Sequence, residues 1–112
     1  MIVLNLKEDK ELLNETAKEW AEKIKRTKKT QVRNFYDKVL ELEEKIKKED
    51  FDDVLPFIKM LNSKVAYAVN RRVASREFQE MIESCIKQID TKEKFNTFKL
   101  FFEAVIGFYK GE

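Results

Sequence analysis

Apolar residues recur every three or four positions along almost the whole chain, and the strict alternation of a strand is missing. The spacing predicts five helices. The first runs from about Asp9 to Arg26, with Leu13, Ala17, Trp20 and Ile24 on one face. The second runs from about Gln31 to Lys48, with Thr30 as its N-cap and Val32, Phe35, Val39, Leu42 and Ile46 inward. An acidic corner over residues 49–53 precedes the third, which reaches about Arg72. Asp52 or Asp53 is its expected cap, so that Pro56 falls in the first turn, where a missing N–H costs little. Its inward stripe reads Val54, Phe57, Ile58, Leu61, Val65, Ala68 and Val69. Ser75 caps the fourth, with Phe78, Met81, Ile82, Cys85, Ile86 and Ile89 buried, and Thr91 caps the fifth, which reaches about Lys110. Residues 1–8 are expected to be irregular. Short connections favour antiparallel neighbours. The expectation is an all-α compact bundle of about five helices, a single domain over residues 1–112.

The fifth helix is apolar around most of its circumference. Phe95, Phe98, Phe102, Val105 and Tyr109 form one stripe, and Leu100, Phe101, Ala104 and Phe108 lie off it. Such a helix is either central in its domain or covered by a partner. The four residues off the stripe are the candidates for self-association or partner docking.

Composition supports the helical reading. Two Gly and one Pro interrupt 112 residues, and nine Phe supply a core. There is no His and only one Cys, which excludes an internal disulfide, Cys/His zinc sites and His-dependent nucleophilic catalysis. Cys85 falls on an apolar stripe and reads as a buried small hydrophobe. The acidic corner lacks the glycine and the distal Glu of a calcium loop. Both glycines stand near the C-terminus, so no phosphate-cradling loop is present. No catalytic residue, metal site or cofactor is expected. The opening Met-Ile-Val-Leu is too short for a signal peptide or a membrane span, so a cytoplasmic protein away from the membrane is expected.

Charge is nearly balanced overall, with 23 basic and 21 acidic side chains and a net charge of +2. A polyanion-binding role must therefore rest on clustering. One cluster exists: Lys23, Lys25, Arg26, Lys28, Lys29 and Arg33 contain no acid among them. It ends at an aromatic-bearing helix, a combination that a phosphate backbone favours. Arg33 also has Asp37 four residues on as a surface partner. On the third helix Met60, Lys64, Tyr67 and Arg71 share a flank beside the core stripe, offering two phosphate contacts and one stacking ring. The competing reading of that flank is a boundary row whose long side chains cover the core edge.

Three segments carry a family resemblance: residues 30–37 (Thr-Gln-Val-Arg-Asn-Phe-Tyr-Asp), 55–61 with 64–68, and 98–109 (Phe-Lys-Leu-Phe-Phe-Glu-Ala-Val-Ile-Gly-Phe-Tyr). Their order and spacing resemble the small subunit of the type III-A CRISPR effector, the Csm complex. The resemblance implies a non-catalytic, all-helical, RNA-binding inner-filament subunit acting in antiviral defence. Copies would stack along the crRNA and target RNA beside other Csm subunits, as an oligomer in the complex; separately from the resemblance, the apolar terminal helix can exchange between isolated copies to give a dimer. Carried over by position, the helix start Gln31-Val32-Arg33 and the flank Lys64, Tyr67 and Arg71 line the RNA channel; together with Lys28 and Lys29 of the basic cluster, Gln31, Arg33, Lys64, Tyr67 and Arg71 are the expected RNA-binding residues. Lys59 belongs to the matching segment but points to the other side. The alternative is a helical protein-interaction adaptor without nucleic-acid binding, which has no need of the basic cluster. A ribonuclease has only unorganised carboxylates in its favour.

Overall fold

In the computed structural model, residues 2–111 are described, and no strand occurs among them. Helix α1 (Ala17–Lys23) grows out of a π-helical turn, Leu12–Thr16. Then follow α2 (Lys29–Lys48), α3 (Phe51–Lys59), α4 (Leu61–Asn70), α5 (Arg76–Ile86) and α6 (Lys92–Phe108). The all-helical expectation holds, and α3 and α4 together occupy the span predicted as one third helix.

The π turn explains where the first helix departs from its predicted face. The Thr16 N–H donates to the Glu11 carbonyl five residues back, at 3.0 Å. That pitch aligns residues about five apart, so Leu12, not Leu13, lines up with Ala17 and is fully buried. Asp9 closes the entry, accepting the Glu11 N–H at 3.0 Å and the Thr16 hydroxyl at 3.2 Å. The helix therefore starts later than Asp9 and ends at Lys23 rather than Arg26.

Two predicted caps hold and two are corrected. Ser75 Oγ accepts the Phe78 N–H, and Thr91 Oγ1 accepts the Lys94 N–H, each at 3.2 Å. Thr30 is not a cap: α2 begins at Lys29, with Lys28 in the extended N-cap conformation. The third predicted helix starts from Asp50, not Asp52 or Asp53. Pro56 is then interior to α3 and removes one ladder hydrogen bond. The break between α3 and α4 falls at Met60, whose carbonyl receives the Ser63 N–H (3.1 Å), the Lys64 N–H (3.3 Å) and the Ser63 hydroxyl (3.0 Å). Such back-bonding by a serine bends a helix.

Helix α6 is the central element. Phe95, Phe98, Phe101, Phe102 and Val105 are all fully buried, with α1 packed against one side of the helix and α2 against another. Helix α3 leans on α2, and α5 packs against α4 and α1. Rings link the elements edge to face: Phe98 to Phe102 (6.0 Å), Phe102 to Phe78 on α5 (6.2 Å), and Phe78 to Phe35 on α2 (5.3 Å). Two polar contacts tie α2 to α6: Lys99 to Glu43 at 3.3 Å and the Tyr36 hydroxyl to Glu103 at 3.0 Å. At the base of α5, Lys59 Nζ donates to the Ile86 carbonyl at 2.6 Å. That places a cation on a helix C-terminus, where one is favoured, and agrees with its pointing away from the Lys64 flank.

Residues 2–5 form no helix, yet Ile2 and Leu4 are buried. Gln88 holds them across 84 and 86 residues of sequence: its Oε1 accepts the Leu4 N–H (2.9 Å) and its Nε2 donates to the Ile2 carbonyl (2.8 Å). Nothing in local spacing signals this strap.

Two tests follow from these contacts. Replacing Gln88 with Ala strips partners from two partly buried backbone groups and should cost about 1–3 kcal/mol in denaturant unfolding. Amide exchange at Leu4 should accelerate most. Burial first, and then the hydrogen bond and charge of Glu103, push the Tyr36 hydroxyl from 10.0 to about 12. The folded state therefore binds this proton more tightly than the unfolded chain. Its contribution is complete below pH 10 and is lost as pH rises toward about 12. Across that window the unmodified protein should lose more stability than Tyr36→Phe, measured by urea unfolding.

Candidate nucleic-acid interface

The loop from α1 to α2 and the loop from α4 to α5 are clasped together. Thr27, buried at 1% exposure, is the centre of the clasp. Its Oγ1 accepts the Ser75 N–H at 3.0 Å, and the two hydroxyls lie 3.0 Å apart. The Lys28 N–H donates to the Val73 carbonyl at 3.2 Å. The Tyr109 hydroxyl donates to the Thr27 carbonyl from just beyond α6. Ser75 thus caps α5 and locks the loops with one side chain.

Around this buried joint the exposed basic residues are Lys25, Arg26, Lys28 and Lys29 at the α1–α2 connection, and Arg71, Arg72 and Arg76 at the α4–α5 connection, with Glu77 the exposed acid beside them. Lys25 is matched by Glu22 at 2.7 Å, and that hydrogen bond and charge hold the Glu22 carboxyl below its ordinary value. Among the described residues no ion pair uses an arginine. One end of the molecule therefore carries positive charge that is largely unneutralised.

The predicted residues distribute unevenly about this end. Lys28 and Lys29 are exposed at the start of α2, and Arg71, at the C-cap of α4, is exposed beside the same joint. Tyr67 is 63% exposed, with the Arg71 guanidinium 5.3 Å from its ring centre. Lys64, half-buried, lines a groove between α2 and the α3–α4 pair with Lys38, Lys45, Phe57 and Met60. Gln31 is half-buried, and helical register puts it on the α2 flank that carries Lys38. Arg33 is exposed but lies roughly 140° around α2 from Lys38. Its predicted pairing with Asp37 does not form among the described ion pairs. Arg33 is thus separated from the Lys64 flank by the width of the helix.

Sequence reasoning missed three features here. Phe57, expected in the core, is 51% exposed. It lies about 100° around α3 from Ile58, and Lys45 Nζ sits 4.9 Å from its ring centre. Lys38 and Lys45 stand seven apart, so the sequence shows that they share one face of α2, but not that α3 and α4 pack beside that face to form the groove. Arg72 and Arg76 carried no periodic signal, because they flank a turn.

The docking candidates on α6 divide as well. Leu100 and Phe108 are 39% and 36% exposed, Ala104 is half-buried, and Phe101 has no exposed surface. Phe101 is corrected to a core residue: α6 has neighbours on both sides, so its apolar band is wider than one stripe. Cys85 is buried, and desolvation pushes its thiol well above its ordinary range.

A family model described as Csm2 Type III-A matches residues 7–112. The chain belongs to the Csm2 family. It is accordingly a small subunit of the type III-A Csm complex. The match takes in the first helix, which the sequence resemblance left aside. No curated protein and no solved structure matches the chain. Among the described residues no helix is long and apolar enough to cross a membrane.

The clasp yields a prediction for this Csm2 chain. Thr27→Val leaves the Ser75 N–H without an acceptor and should cost about 1–3 kcal/mol in chemical unfolding. Thr27→Ser keeps the hydroxyl and should cost distinctly less.

Proposed function

We propose that this Csm2 chain is a non-catalytic inner-filament subunit that holds the crRNA and target RNA by their backbones. The observation that carries the reading is the clasp of Thr27 and Ser75, which gathers cations from two distant loops at one end. Acidic residues are plentiful elsewhere, so the imbalance is local rather than compositional. Lysines and arginines of this kind contact phosphate and carry no base readout. A guide-directed complex needs that tolerance, since pairing with the guide supplies the sequence. Several copies acting together turn weak sites into firm binding. On this reading the subunit works in the cytoplasm in antiviral defence.

Stacking on neighbours belongs to the same proposal. The exposed apolar side chains Phe57, Met60, Leu100 and Phe108 offer contact surface for a second copy or another Csm subunit. They are also the observation that favours the adaptor alternative, in which protein contacts are the whole function.

Substituting Lys28, Lys29 and Arg71 by Ala tests the reading in the assembled complex. Target-RNA affinity should fall alike for every sequence. The salt dependence should flatten by about 0.7 per lost contact on a single strand. Unchanged affinity and slope, with assembly intact, would leave the adaptor reading standing.

A further inference from the structure

Arg72 is the one non-glycine residue of positive φ among those described, at 63°. It occupies the position just past the end of α4. The Val73 N–H reaches back to the Ala68 carbonyl at 3.1 Å, and the Arg72 N–H to the Val69 carbonyl at 2.9 Å. This paired helix ending is normally built on glycine, because a Cβ is strained in the left-handed region. Here an arginine stands in its place, with its side chain exposed.

Arg72 shares an open concavity of about 420 Å³ with Arg26 and Arg76. A second concavity, of about 490 Å³, is lined by Arg26, Lys28 and Lys110. Arg26 borders both, so the two adjoin. Glu77 is the one acid on the rim of the first, which leaves that concavity with three guanidiniums against one carboxylate. None of these arginines is engaged in an ion pair among the described residues. The guanidinium is a planar fork that grips phosphate oxygens two at a time.

We infer that Arg26, Arg72 and Arg76 clamp a phosphodiester of the bound RNA, and that its backbone continues past Arg26 to Lys28 and Lys110. The inference rests on the RNA-binding reading above and adds to it Arg72, Arg76 and Lys110, which the sequence did not single out. Two open hollows joined at one arginine suit a linear polyanion. A single small anion would be held better by one enclosed site.

Arg72→Gly separates binding from folding, because glycine is the residue this backbone prefers. The full-length protein is titrated against a fluorescein-labelled single-stranded RNA of mixed sequence with a 5′-hydroxyl, across a salt series. The variant should bind about three- to tenfold more weakly at low salt, with a slope flatter by about 0.7. Its melting temperature should equal or exceed that of the unmodified protein. Arg72→Lys should restore the slope but only part of the affinity. Binding and slope equal to the unmodified protein in Arg72→Gly would overturn this inference alone. Failure of the unmodified protein to bind at low salt would overturn both this inference and the RNA-binding reading. Displacement of the RNA by millimolar inorganic phosphate at constant ionic strength would reassign the site to a free anion and overturn the clamp.

Discussion

The fold depends on the burial of α6. A helix with five fully buried large side chains on more than one face cannot sit at the surface of a domain this small. It must lie in the middle, and the other helices must arrange themselves around it. The edge-to-face contacts of Phe98, Phe102, Phe78 and Phe35 then set how α6, α5 and α2 approach one another. Aromatic pairs in such geometry contribute about 0.5–1.5 kcal/mol beyond the area they bury. The Cα radius of gyration, 13.2 Å, is what a well-packed chain of this length gives.

That central packing leaves the loops at one end free to carry charge. Thr27 and Ser75, 48 residues apart, meet only because α1 and α5 flank the same core. Their hydroxyls accept the Ser75 and Phe78 N–H groups, satisfying the backbone where α5 begins. The basic side chains around them are consequently held on a rigid joint rather than on a loose tip. The same joint takes in the Tyr109 hydroxyl, so the end of α6 helps to fix the place where cations gather.

The apolar periodicity of the chain was enough to show an all-helical fold, its number of long segments and most of its core. Ser75 and Thr91 were legible as caps because a side-chain oxygen three residues before a free N–H is a local matter. The Csm2 family was legible from segment order, and the basic run from Lys23 to Arg33 from the order of charges along the chain. These signals are all short-range, and short-range chemistry is what a sequence displays directly.

Only the tertiary structure decided which of those charges act together. Helical register and packing moved Arg33 away from the Lys64 flank, brought Lys38 and Lys45 to it, and exposed Phe57 while burying Phe101. The Gln88 strap and the clasp of Thr27 with Ser75 join residues 48 to 86 positions apart. The arginines at 26, 72 and 76 converge through the same clasp. No local pattern encodes such meetings, because they are set by how whole helices pack. The sequence by itself determined the helices and the stock of charge; the packing of α6 with its neighbours determined where that charge is presented.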